Sequence, residues 1–276
     1  MGASDRSRKW WIVVPVLLYA ALLLLGPLLA VVTGAFAEGA GALVRRLSAP
    51  DAVHALQLTL LLAVGATVFN AVLGVLVAHV LVRDSFRGRR LLDGLVDLPF
   101  AVSPVIAGFM IILLFGRDGW LTPLADAAGI KFVFSLPGMF LATAFVSLPF
   151  TIREVMPVLE QHGHDQEDAA LTMGASPWQA FRRVTLPGIR WGVLYGISLT
   201  FARALGEFGA VLVVSGSVAG LTETSTLFIF RSLDERDAVG AHGMALVLAA
   251  VSFTLLTAME LVRRRGARQT TKGEEG

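Results

Sequence analysis

The sequence predicts an all-α, polytopic integral membrane protein of six transmembrane helices, on three observations. Of its 276 residues, 55% are hydrophobic and only 16% charged, with a mean hydropathy of +0.71. Average soluble domains carry about a quarter charged residues, and one water-soluble core of this size could not hide so much apolar surface. Second, six stretches are apolar over about the 20 residues a helix needs to cross a hydrocarbon core of about 30 Å. Third, the basic residues are unevenly divided among the intervening loops, as a membrane topology requires.

The spans are expected near 10–33, 56–82, 95–115, 136–152, 191–214 and 244–262. The first follows Arg6, Arg8 and Lys9, and Ala35-Phe36-Ala37 resembles a small-residue cleavage site. Its apolar run outlasts the roughly 7–15 residues of a secretory signal, so it reads as a retained helix. The second contains no charge from Leu56 to Val82; Gln57, Asn70 and His79 are its strongly polar groups. Asn70 and His79 either line a pathway or hydrogen-bond between helices, and the second role is expected. Pro99, Pro104 and Gly108 should kink the third span, and such breaks are tolerated only where neighbouring groups re-satisfy the backbone. The outer loops, near 34–55, 116–135 and 215–241, are too short to be domains, so residues 1–276 read as one membrane domain. Sixteen of the 23 basic residues fall in the tails and loops on the N-terminal side of the membrane, six fall on the opposite side and Arg203 lies within a span. Positive-inside orientation then places both termini in the cytoplasm. Trp10, Trp11, Trp120, Trp191 and Tyr195 sit near the expected interfaces as anchors. Cysteine is absent, which removes disulfides, thiolate metal sites and cysteine nucleophiles together.

The one inner loop long enough to fold lies between the fourth and fifth spans and reads as helix, turn, helix. Asp165 is the expected N-cap, with Gln166, Glu167 and Asp168 at the positive end of the helix dipole. Gly174 is a natural residue just past the helix end. Ser176-Pro177-Trp178-Gln179 supplies a capping box with proline in the first turn, and the second helix is expected to stop before Pro187. Apolar Ala169, Ala170, Met173, Phe181 and Val184 mix there with Arg182 and Arg183, a face suited to a partner protein.

Asp168-Ala169-Ala170, Gly174 four residues on, and Val184-Thr185-Leu186-Pro187 after nine more resemble the EAA loop of ABC importer permeases. Asp168 replaces the usual glutamate and Val184 the usual isoleucine. The stretches Asp97-Leu98-Pro99-Phe100-Ala101-Val102-Ser103-Pro104-Val105 and Arg203-Ala204-Leu205-Gly206-Glu207-Phe208-Gly209-Ala210 resemble the sulfate/thiosulfate permease subunits of that family, the W type in particular. The resemblance implies the ABC importer permease (MetI-like) fold in a bacterial cytoplasmic membrane. It implies an ATPase-coupling loop at 160–187, with Asp168, Ala169, Ala170, Gly174, Val184, Leu186 and Pro187 as its motif residues. It also implies a T-type sibling permease, two ATP-binding subunits and a periplasmic sulfate-binding protein as partners, no cofactor and no nucleic acid. Molybdate or tungstate permeases share the 203–210 type of stretch and are the alternative.

The chain has no Gly-Lys dipeptide and hence no P-loop, so any ATP is hydrolysed elsewhere. A passive anion channel would need neither that loop nor ATP. A membrane-embedded enzyme finds no triad, HExxH or paired carboxylates at plausible spacing. His162, His164 and the nearby acids could suggest a metal cluster, but solvated histidines and helix-dipole carboxylates account for them. In the fifth span Arg203 and Glu207 stand at i,i+4 and should share a helix face. Each would cost about 2.5–3.5 kcal/mol near the bilayer centre, so they should turn inward and pair. Arg203 then either meets a passing anion or is neutralised by Glu207 in a packing role, and packing is the stronger reading. Gly188, Gly192 and Gly196 recur every four residues, a ridge for close helix approach within the subunit or across to a partner.

Overall fold

Long apolar runs without interruption become the longest helices, and proline and glycine mark the breaks between the rest. The structure, a computed structural model, describes the backbone of residues 3–273 and the side chains of residues 11 and 13–261. The terminal charges expected to set topology, Arg6, Arg8, Lys9 and the basic residues after 262, lie outside the described side chains, as does Trp10. The helices are α1 (Ala3–Ala35), α2 (Ala40–Leu47), α3 (Pro50–Arg83), α4 (Arg89–Val96), α5 (Leu98–Ala101), α6 (Pro104–Phe115), α7 (Thr122–Ala127), α8 (Leu136–Gln161), α9 (Asp165–Thr172), α10 (Pro177–Ala180), α11 (Leu186–Leu205), α12 (Gly209–Ser215), α13 (Ser225–Asp234) and α14 (Ala238–Gly273), with no strand among the described residues.

Four helices are long and apolar enough to cross a membrane: Val13–Ala35 within α1, α3, α8 and Ala238–Leu261 within α14. The helix running through Leu205 and α12, bent by 55° at residues 206–208, makes a fifth if counted as one span. The stretch expected to cross at 95–115 is divided among α4, α5 and α6, and only the 12 residues Pro104–Phe115 form a sustained apolar helix. The expected kink there is a full interruption: Pro99 and Pro104 each open a new helix, because a proline fits the first turn but cannot extend the turn before it.

The core lies where α3, α8 and α11 pack. Val75, Ala78 and Leu81 of α3 meet Ile152, Val155 and Leu159 of α8 and Ile189 of α11, with Val96 of α4. A second cluster joins Ala107 and Ile111 of α6, Ala142 and Val146 of α8, and Ala210 and Val214 of α12. Small residues bring these backbones close, the packing expected where lipid removes a hydrophobic drive between helices. A methyl group on Gly108 would lie 2.5 Å from the Ala210 carbonyl oxygen. The Gly188, Gly192 and Gly196 ridge is spent within the chain: added methyl groups would strike His162, Val158 and Thr151, at the end of α8 and within it. Asn70 donates to the Ala144 carbonyl and Ser147 Oγ, both at 2.9 Å, the helix-to-helix bond expected of it. His79 departs from that expectation. Its ring stands edge-on to Phe181 at 5.2 Å, and its buried Nδ1 has no hydrogen-bond partner.

At the opposite end, an ion cluster ties α2, α3 and α13 together. Arg231 reaches Glu223 at 2.6 Å, Asp51 at 2.9 Å and Glu235 at 3.0 Å, and Arg46 reaches Asp51 at 3.1 Å. Both guanidiniums lie over the Phe228 ring. Hydrogen bonding to Glu223, ahead of the other carboxylates, raises the Arg231 pKa further above its ordinary value.

Candidate functional site

The loop 160–187 is built by local signals that can be checked bond by bond. Helix α9 begins at Asp165, but His164 occupies the N-cap position without a side-chain bond. Asp165 is therefore the first helical residue rather than the expected cap, placing three acids, Asp165, Glu167 and Asp168, in the first turn, where the helix dipole favours them. The far end closes as a Schellman motif. The Ala175 amide donates to the Ala170 carbonyl and the Gly174 amide to the Leu171 carbonyl, both at 3.0 Å. Gly174 makes this possible at φ +92°, and a methyl group there would meet nothing within 4 Å. The Ser176 capping box forms in both directions: Ser176 Oγ accepts from the Gln179 amide, and Gln179 Oε1 accepts from the Ser176 amide at 2.9 Å.

The second helix does not end before Pro187. It runs from α10 through a π-helical turn, Phe181–Thr185, directly into α11. The wider turn accommodates Pro187, whose missing amide and bulky ring would break an α-helical register. The second helix of the loop and α11 are thus one continuous helix. No coil or turn separates α10 from α11.

Two faces result. Ala170, Ala180 and Thr185 are buried against the rest of the chain, while Asp168, Ala169, Leu171, Gly174 and Trp178 are exposed. Met173 is 83% exposed and Trp178 64%. Val184 is half-buried, and Leu186 and Pro187 are exposed.

Glu167 fixes the loop to the body, a role its first-turn position does not reveal. Its Oε1 accepts from Arg83 Nη2 at 2.9 Å and from the Thr185 hydroxyl at 2.8 Å. Arg83 also donates to the Gly163 carbonyl at 2.6 Å. One carboxylate therefore joins the end of α3, the start of α9 and the start of α11. The Arg83 side chain is 6% exposed and that of Glu167 15%. The only trace in the sequence is an arginine closing an uncharged run and an acid just before the Asp168-Ala169-Ala170 triad. Their separation of 84 residues conceals the partnership.

At the second site, Arg203 and Glu207 do pair, at 2.8 Å, but they do not share a helix face. Helix α11 ends at Leu205, and Glu207 lies in the break before α12. Its Oε1 accepts from the Ala210 amide at 2.9 Å, and its carbonyl accepts from the Thr226 hydroxyl at 2.7 Å. The break is thus re-satisfied by its own side chain and by α13, as an interruption away from water requires. The Glu207 side chain is 3% exposed and that of Arg203 29%. Among the described residues no three histidine, cysteine or acidic side chains are grouped to hold a metal ion. His162 instead packs against Gly188.

Comparison with known proteins agrees with this architecture. Residues 70–268 match the family described as binding-protein-dependent transport system inner membrane component. The chain is 46% identical over 254 residues to the sulfate transport system permease protein CysW of Synechococcus elongatus, covering 92% of this chain and 89% of that protein. It is 40% identical over 253 residues to the sulfate transport system permease protein CysT of Escherichia coli K12, covering 92% and 91% respectively. In fold it matches a bacterial ABC transporter that imports the acidic polysaccharide alginate, with a TM-score of 0.80 at 18% identity over 95% of this chain and 98% of that one.

Proposed function

The chain belongs to the family of binding-protein-dependent transport system inner membrane components, and from that premise we propose that it is the permease subunit of an ATP-driven importer of sulfate and thiosulfate. It is a multi-pass membrane transport component rather than a catalyst. The observation that carries the substrate is the identity of 46% over 92% of the chain to a sulfate permease. The likeness to both CysW and CysT proteins supports a complex in which a W-type chain pairs with a T-type sibling. Two ATP-binding subunits and a periplasmic sulfate-binding protein complete the assembly. Both termini and the loop 160–187 face the cytoplasm, and the short helix α6 with its flanking segments supplies the sixth crossing.

In this reading Met173, Trp178, Leu171 and Ala169 form the apolar face that seats in a cleft of the ATPase, with Asp168, Arg182 and Arg183 around it. Nucleotide-driven closure of the ATPase moves α9 and α10. The uninterrupted π turn carries that motion into α11, and the Glu167 carboxylate carries it to α3. Rocking of these packed helices against the sibling alternates access to the pathway. Arg203 and Glu207 stabilise the break between α11 and α12. The burial of Glu207 and its two backbone-level bonds support the packing role over an anion contact.

The test is uptake of radiolabelled sulfate by cells lacking the chain and by cells in which it is restored, with thiosulfate and then molybdate as competitors. Loss, rescue and competition by thiosulfate where molybdate is ineffective are expected. An intact sulfate uptake accompanied by a defect in molybdate accumulation overturns the substrate. Uptake that persists after ATP depletion identifies a passive channel instead.

A further inference from the structure

The basic residues near the loop 160–187 differ in how their charge is used. Arg83 is held by Glu167, Arg153 by Asp93 and Asp97, each at 2.7 Å, and Arg190 lies over the Trp191 ring at 5.1 Å. Arg87, Arg89 and Arg90, in the turn between α3 and α4 and the first turn of α4, are exposed. No side chain of the three makes a hydrogen bond, ion pair or ring contact among the described residues. The two acids of α4, Asp93 and Asp97 at its end, both pair with Arg153. Arg153 cancels one of those two negative charges, so with the exposed Asp84 the acids offset two of the three cations and one net positive charge remains.

Beside this charge lies an exposed apolar stripe. Leu92 and Val96 turn α4 toward the core, while Leu91 and Leu95, one helical turn apart, are 69% and 52% exposed. Phe86, at the tip of the turn, is 40% exposed. Ser85, Phe86, Gly88, Arg89 and Arg90 line a shallow cavity of about 330 Å³. The ion pairs to Arg153 tie α4 to the first charged residue of α8 after the 136–152 stretch expected to cross the membrane, and on that reading they set α4 at the membrane boundary. Apolar side chains flanked by unpaired cations at that boundary match an anionic bilayer surface, with leucine and phenylalanine in the acyl region and guanidiniums at the phosphates.

We propose that the α3–α4 turn and the outer face of α4 bind anionic phospholipid headgroups through Arg87, Arg89 and Arg90, with Phe86, Leu91 and Leu95 inserted beneath them. The site adjoins Arg83, to which the loop 160–187 is clamped, so the lipid charge steadies the point against which that loop moves. The lipid binding rests on the proposed span ending near residue 152, and the assignment of the leaflet rests on the proposed orientation.

The test uses the intact permease complex in nanodiscs and spin-labelled phosphatidylglycerol, with spin-labelled phosphatidylcholine as control. The wild type should show a motionally restricted phosphatidylglycerol fraction. In R87Q/R89Q/R90Q its relative association should fall by at least roughly five-fold, the effect of losing a single such cation. R87K/R89K/R90K should restore it, and the phosphatidylcholine signal should not change. Wild-type association should also weaken as salt is raised, a measurement that needs no variant. Equal phosphatidylglycerol association in the wild type and the glutamine variant, or indifference to salt, overturns the proposal. Loss of the ATPase from the glutamine variant with lipid association unchanged also overturns it and assigns the arginines to a protein partner. The readout does not involve transport, so failure of the importer assignment would appear in uptake and leave this result standing.

Discussion

Replacing Glu167 with alanine should loosen the loop 160–187 far more than its surface position suggests. The substitution leaves Arg83, with a side chain only 6% exposed, holding the Gly163 carbonyl alone, and strips the Thr185 hydroxyl of its acceptor. Removing one partner of a buried ion pair costs about 3–5 kcal/mol. The retained Gly163 bond and the partial exposure of Glu167 place this case near 3 kcal/mol, which is about 100-fold in a local opening equilibrium. Hydrogen exchange of the complex in nanodiscs reads that directly at the Gly174 and Ala175 amides of the Schellman motif. Their exchange should accelerate by about two orders of magnitude, while amides in the middle of α3 keep wild-type rates. The double variant Arg83→Met with Glu167→Leu removes both charges and should recover most of the protection, because an apolar pair of similar volume is often neutral or better. Sulfate uptake should fall steeply in E167A. Exchange within about three-fold of wild type in E167A, or a double variant as unprotected as the single, would refute the clamp.

Gly174→Val should leave the fold intact, since its side chain meets open space, yet place a β-branched residue at φ +92° at a cost of about 1–2 kcal/mol; uptake should be lost while ATP hydrolysis continues, and unaltered uptake would remove the docking role. Trp178→Ala together with Met173→Ser should lower thermal stability by no more than the loss of the Trp178–Phe181 ring stack at 5.6 Å, about 0.5–1.5 kcal/mol, because both side chains are otherwise exposed, and should release the ATPase during gel filtration of the complex. Gly192→Val would drive a side chain into Val158, whose Cγ2 lies 2.8 Å from an added methyl group; a loss of about 1–3 kcal/mol should appear as a lower melting temperature in detergent. Arg203→Met alone strands the buried Glu207 and should be the more damaging change, whereas Arg203→Met with Glu207→Gln keeps an acceptor for the Ala210 amide and should retain uptake; loss of uptake in a well-folded double variant would return Arg203 to the anion pathway.

Composition and short-range pattern were sufficient for much of this protein. An excess of apolar residues leaves lipid as the solvent, and uncharged runs such as Leu56–Val82 become helices wherever the backbone must satisfy itself. The Ser176 capping box and the Gly174 helix end were legible because every atom they use lies within a few residues. Other features depended on what was packed nearby. Arg203 and Glu207 read as neighbours on one face, but Gly206 ends the helix between them and the Thr226 hydroxyl, contributed by α13, takes up the carbonyl that the break frees. The helix expected to stop at Pro187 continues because a π turn makes room for the ring. The glycine ridge of α11 had two eligible partners by sequence, and the position of α8 chose between them. The Arg83–Glu167 clamp was invisible for the same reason. A local motif carries its own hydrogen-bond partners and so is written in adjacent residues, whereas a buried charge takes its partner from wherever the packed helices bring one, and only the tertiary arrangement of α3, α9 and α11 places those three segments on one carboxylate.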